Sequence, residues 1–169
     1  SFPYSYTKLQ NYLARLEKGY SHMFHKRKIG MTALGNSIEC VTITNPQSNK
    51  IKPVVFISCR AHPGETPCSY ILEGIINSLL GVRKQSEHMR NELVFKIIPM
   101  LNPDGVVHGN YRTSLNGVDL NRFWSEQNKQ YPEVLAAKSV IKESNGTKLA
   151  FFDLHGHSKK KGVFAYGCM

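Results

Sequence analysis

Residues 54–80, VVFISCRAHPGETPCSYILEGIINSLL, leave the chain few folds to choose from. Val54 to Cys59 shows no polar alternation, as expected of a strand covered on both faces. A short loop with His62 and Glu65 follows, and then a helix. Thr66 suits the N-cap and Pro67 the first helical position, where its missing N–H costs nothing. Ile71, Ile75, Leu79 and Leu72, Ile76, Leu80 recur at helical spacing, and Gly81 is a natural stop. A strand feeding a helix is the building unit of an open α/β sheet, which carries its chemistry at the carboxyl ends of its strands. A His-x-x-Glu pair in that turn can reach one metal ion, with Pro63 and Gly64 shaping the backbone between them.

The rest of the chain supplies more strands and helices. Ser5 is positioned to cap a helix running to about Tyr20, with Leu9, Tyr12, Leu13, Leu16 and Tyr20 on one face. His25–Ala33 and Ser37–Thr44 read as hairpin strands around Leu34-Gly35-Asn36. A polar loop, Asn45–Lys52, leads into the central strand. Beyond Gly81, Val82–Asn91 is polar and basic, and Leu93–Leu101 is a further strand. Asn102–Trp124 reads as a loop, and a loop of that length inside a domain is usually functional. A helix over Pro132–Lys142 and a third buried strand over Lys148–Leu154 follow, with another strand expected at Val163–Tyr166. The fold expected is therefore α/β: a mixed, mainly parallel twisted sheet with helices on both faces.

A chain of 169 residues, 41% hydrophobic and 20% charged, is large enough for one core, and neither a repeat nor a second domain is visible. No apolar run reaches the roughly 18 residues a membrane helix needs. The chain opens at Ser1, an expected processed or chosen terminus, so a missing leader says little about location. Cys40, Cys59, Cys68 and Cys168 form no C-x-x-C pair and fit free thiols in a reducing compartment. The 22 Lys and Arg against 12 Asp and Glu leave +10, an attraction to something acidic.

Three strands end in His62/Glu65, in Asn102-Pro103-Asp104-Gly105 and in His155-Gly156-His157. Two imidazoles and a carboxylate gathered in one crevice make the open three-ligand zinc site of a hydrolase. Asp153, His155 and His157 would share one face of a continuing strand, so spacing alone does not choose the third ligand. Lys159–Lys161 fit a solvated turn, or a patch that steers an acidic peptide.

HPGE at His62–Glu65, NPDG at Asn102–Gly105, GNYR at Gly109–Arg112, DLNR at Asp119–Arg122 and DLHGHS at Asp153–Ser158 stand in one order. With the opening FPYSYTKLQNYL, they resemble the zinc carboxypeptidase family, in particular its cytosolic carboxypeptidase branch. The resemblance implies one zinc ion on His62, Glu65 and His155, leaving His157 at the rim. It implies that Arg112 polarises the scissile carbonyl and that Asn121 and Arg122 hold the substrate's terminal carboxylate. Asp119 then orients one zinc imidazole.

The family's proton-transferring glutamate lies well downstream of the third ligand, as do its substrate-closing tyrosine and later strands. Glu73 and Glu143 read as helix surface, and Glu126 and Glu133 match no family motif. Residues 1–169 are therefore expected to form a single, incomplete catalytic domain, truncated at the C-terminus, that hydrolyses almost nothing alone. An open sheet edge is expected near Val163–Tyr166.

The resemblance further implies a cytoplasmic enzyme that trims glutamates from acidic protein tails, such as those of polyglutamylated tubulin. Rival readings are an N-acyl amino acid amidohydrolase similar to aspartoacylase, and a non-catalytic basic module for acidic tails. Nucleic acid ranks last, because basic and aromatic residues do not interleave as a base-stacking surface requires.

Overall fold

The computed structural model describes residues 2–46, 50–125 and 130–167. The hairpin and helix spacings resolve into α1 (Tyr6–Gly19), β1 (Phe24–Met31), β2 (Ser37–Ile43), β3 (Val54–Cys59) and α2 (Thr66–Leu80). There follow α3 (Lys84–Glu92), β4 (Val94–Ile98), α4 (Pro103–His108), α5 (Pro132–Glu143) and β5 (Lys148–Leu154). The strands form one sheet in the order β1-β2-β4-β3-β5. β4, β3 and β5 run parallel, β2 runs against β4, and β1 runs against β2. Only β2 therefore opposes the common direction, which makes the sheet mixed and mainly parallel, as expected.

Both faces are covered. On one, Leu9, Tyr12, Leu13 and Leu16 of α1 and Leu72, Ile76 and Leu79 of α2 pack on Val55, Ile57, Phe95 and Ile97. On the other, Val140 of α5 meets Cys40, Val54 and Phe56. Every residue of β3 is buried. Ser5 caps α1 by accepting the Lys8 N–H at 3.1 Å. Its expected stripe holds except at Tyr20, which lies at the C-cap and is 36% exposed.

Several expectations shift. Glu65, not Thr66, stands at the N-cap of α2, and its carboxylate is drawn off to the two imidazoles instead of the helix N–H groups. Ile71 lies on the solvent side of that helix, 53% exposed. The polar segment after Gly81 contains helix α3, which has little apolar face to betray it. Its Arg90 turns inward and donates to the carbonyls of Leu79 and Gly81, closing the end of α2. The long loop contains α4 and a 3-10 turn at Leu120–Arg122.

β5 is not buried. It is the edge of the sheet, with Leu149, Phe151 and Phe152 at 57%, 42% and 54% exposure, because no further strand pairs with it among the described residues. Residues 163–166 form no strand, so the open edge is β5 itself. Glu126 and Cys168 lie outside the described residues, as does part of the Asn45–Lys52 loop.

Candidate metal centre

The carboxyl ends of β4, β3 and β5 lie side by side, and each hands its chain to a loop of the site. These loops pack closely enough to explain their glycines. Gly64 donates to Tyr111 O at 2.7 Å, and a Cβ there would sit 2.6 Å from the Tyr111 ring. Gly105 is pressed on the Pro63 ring, with Thr113 O 2.8 Å from where its Cβ would be. HPGE, NPDG and GNYR are thus one interlocked unit. Asp104, fully buried, accepts from Thr32, from the Leu34 N–H at 2.9 Å and from Asn36 at 2.8 Å. It fastens the β1–β2 turn to that unit.

Inside it the donors converge. His62 Nδ1 lies 2.9 Å from Glu65 Oε1, and His155 Nδ1 lies 3.0 Å from Glu65 Oε2 and 3.2 Å from His62 Nδ1. One ligand atom from each of the three residues falls within 4.8 Å of the others. Each imidazole is held from behind: His62 Nε2 lies 3.0 Å from Asp119 and His155 Nε2 lies 2.6 Å from Asp153. A carboxylate behind a ligating imidazole fixes its tautomer and raises its basicity, so the donor set fits a zinc ion.

The same contacts set the electrostatics of the bare donor group. Burial raises Glu65, but hydrogen bonds from His155, the Gly156 N–H and His62 outweigh it and hold the carboxyl at about 2. Asp153 first, and then Glu65, push His155 up to about 10 against the opposing effect of burial. Burial also raises Asp119, but His62, the Asn121 N–H and Arg112 together hold it below the ordinary carboxylate range.

Arg112 reaches Asp119 Oδ2 through Nε at 2.9 Å and Nη2 at 2.8 Å, so it is joined to the donors through the Asp119–His62 pair. Arg122 is looser. Its side chain is 64% exposed and stands 3.9 Å from Asp119. The side chain of Asn121 accepts from Trp124 Nε1 at 2.8 Å. His157 is outside the donor group: it is exposed, and its Nδ1 accepts from the Lys159 and Lys160 N–H groups.

Two contributors went unassigned in the sequence. Asp153 shares the face of His155 two residues on, and that spacing was the available signal. Ser58, which donates to Asp153 from the neighbouring strand, left none. The expected helix-surface Glu73 instead accepts from Tyr4 at 2.6 Å, and Glu133 is buried in α5. Glu143 is at the surface as expected, paired with Arg27 at 3.0 Å.

An open α/β sheet with a two-histidine, one-glutamate donor set at its strand ends is the arrangement of a metallohydrolase. The zinc carboxypeptidase family profile matches residues 9–159, and the chain belongs to that family. It is 40% identical to cytosolic carboxypeptidase 1 of Mus musculus over 99% of its own length and 15% of that protein. It is likewise 40% identical to cytosolic carboxypeptidase 6 of Mus musculus, over 98% of this chain and 32% of that one. Among solved structures, a metallo-carboxypeptidase from Burkholderia cenocepacia superposes with a TM-score of 0.82 at 32% identity, over 92% of this chain and 42% of that chain. The chain thus spans less than half of each of these relatives.

Proposed function

We propose that the whole protein is a zinc metallocarboxypeptidase that removes C-terminal residues, glutamates foremost, from acidic protein tails such as those of polyglutamylated tubulin. The observation carrying this is the convergence of His62, Glu65 and His155, with an aspartate behind each imidazole. Bound there, zinc would supply the Lewis acidity that peptide hydrolysis requires.

The chain's own residues do the rest of the positioning. Arg112, aligned by Asp119 beside the donors, is assigned the developing negative charge of the carbonyl oxygen. Asn121 and Arg122 are assigned the substrate's terminal carboxylate, and the exposed guanidinium of Arg122 is available to an incoming fork of oxygens. The +10 charge favours an acidic tail. The names of the relatives, and free buried thiols at Cys40, Cys59 and Cys68, support a cytosolic setting.

Each carboxylate at the centre is already engaged. Glu65 faces both imidazoles, Asp119 serves His62 and Arg112, and Asp153 serves His155 and Ser58. The carboxylate that moves the proton, which the family resemblance puts well downstream of His155, is assigned to a part of the protein not covered by this chain. The test compares peptides ending in glutamate, peptides ending in neutral residues and N-acyl amino acids on the zinc-loaded full-length protein. Glutamate release supports the proposal, whereas cleavage of acyl-amino acids alone selects an amidohydrolase. Binding of acidic tails that survives chelation without hydrolysis selects a non-catalytic module. Turnover by the 169-residue chain itself, abolished by changing one of its own glutamates, would overturn the assignment of the proton carrier.

A further inference from the structure

Arg60 is 2% exposed, and among the described residues it alone combines a side chain with a positive φ, +60°. It occupies the residue just after β3, two before His62. A long side chain in the left-handed region is unfavourable there, and such a conformation persists only where the surroundings enforce it. The enforcing contacts are visible. Arg60 Nε donates to Pro63 O at 3.0 Å and Nη2 donates to the same carbonyl. Nη1 donates to Ser69 Oγ at 2.8 Å and to Tyr4 O at 3.2 Å.

These partners share a purpose. Pro63 lies between the two ligands of the HPGE loop, Ser69 lies in the first turn of the helix that carries Glu65 at its cap, and Tyr4 belongs to the segment before α1. One guanidinium therefore fixes the carbonyl between His62 and Glu65 relative to α2 and to the N-terminal segment. Its own backbone is held meanwhile by the Asn102 N–H, which donates to Arg60 O at 3.2 Å. Burial lowers the pKa of this guanidinium, and Cys59, Cys68, Tyr4 and Glu65 oppose that.

Lys52, also buried, has its ammonium on Thr44 Oγ1 and Asn45 O just after β2 and on Arg90 O in α3, none of them in the loops that carry His62, Glu65 and His155. The basic strand β1 is partly neutralised, with Lys26 near Glu17 and Arg27 on Glu143.

We propose that Arg60 is a positioning residue for the metal loop, setting the angle between His62 and Glu65 and hence the protein's affinity for zinc. This rests on the metal reading above. Glycine adopts φ +60° readily, so Arg60→Gly keeps the backbone turn while removing the clamp. Partners that orient metal ligands govern affinity by roughly 10- to 100-fold, and a loss of that size is expected for Arg60→Gly. Arg60→Lys, able to reach some of the same carbonyls, is expected to recover part of it, and Ser69→Ala, which removes one acceptor, to lose only several-fold.

The measurement is zinc affinity by chelator competition on the full-length protein, with the visible spectrum of the cobalt-substituted form as a second readout. A merely structural role would lower the melting temperature of the variants yet leave the affinity and cobalt spectrum of the folded protein unchanged, and that result overturns the proposal. Should Arg60→Gly fail to fold, the graded losses of Arg60→Lys and Ser69→Ala decide in its place. Wild-type protein that takes up no zinc, or takes it up without His62, Glu65 and His155, overturns the metal reading itself. Intact wild-type uptake with unaffected variants sinks only the role of Arg60.

Discussion

β3 and β5 are neighbours in register, and each delivers a donor to the same centre, yet they are supported very differently. β3 is buried along its whole length between α1 and α2 on one face and α5 on the other. β5 pairs with β3 on one side only and leaves Phe152 more than half exposed. His62 and Glu65 thus come from an anchored strand and a loop locked by Gly64, Gly105 and Arg60. His155 comes from a strand held by its ladder, by Asp153 and by the site's own contacts. Apolar content is similar in both strands; what differs is how many layers cover them.

The largest expected effect tests whether the two strands share one centre. His62→Ala, Glu65→Ala and His155→Ala should each abolish stoichiometric zinc uptake, measured by metal analysis after dialysis. Uptake that survives His155→Ala would place the centre on β3 alone. Next, Phe56→Ala in β3 should cost roughly 3–5 kcal/mol, since it opens a cavity under α5, as read by urea unfolding. In this 169-residue chain Phe152→Ala in β5 should stay within about 0.5 kcal/mol. A large Phe152 penalty in the longer protein would mean that more protein covers β5 there.

The two carboxylates behind the imidazoles offer a finer comparison. Asp119→Asn and Asp153→Asn should each weaken zinc binding by roughly 10- to 100-fold. The Asp153 variant should also speed hydrogen exchange along β5 while leaving β3 protected.

The smallest effect concerns the well-covered side. Burial is the leading influence on Glu133 in α5 and raises its pKa. A raised folded-state value means that its contribution is full below the unfolded-state pKa and is lost as pH rises through the folded one. Glu133→Gln should therefore unfold at a slightly higher temperature than wild type at neutral pH, with the gap closing in acid. A gap that widened in acid would reverse the assignment.

Much of this was legible beforehand where a residue's role depends on its immediate neighbours in the chain. The ends of β3 fell where the mainly apolar run VVFISC begins and stops, and Ser5 capped α1 as its position indicated. α3 was illegible because its support comes from Arg90 turning inward to α2, which no periodicity records. β5 misled for the opposite reason. Its apolar residues look like those of a core strand, and burial depends on what lies beyond the edge. His155 could not be told from His157 by alternation, since both share a face; the fold separated them by ending β5 at Leu154 and turning His155 toward Glu65.

Order and chemistry of residues along the chain were enough to determine a strand–loop–helix unit, an α/β class and the group of donors from which a metal site is made, because local preferences and motif spacing are properties of neighbours. Which donors meet, which aspartate stands behind each imidazole and which arginine holds the loop between His62 and Glu65 were decided by the tertiary structure. Those pairings join residues as distant as His62 and His155, Arg60 and Tyr4, and only the packing of strands side by side brings them within hydrogen-bonding reach.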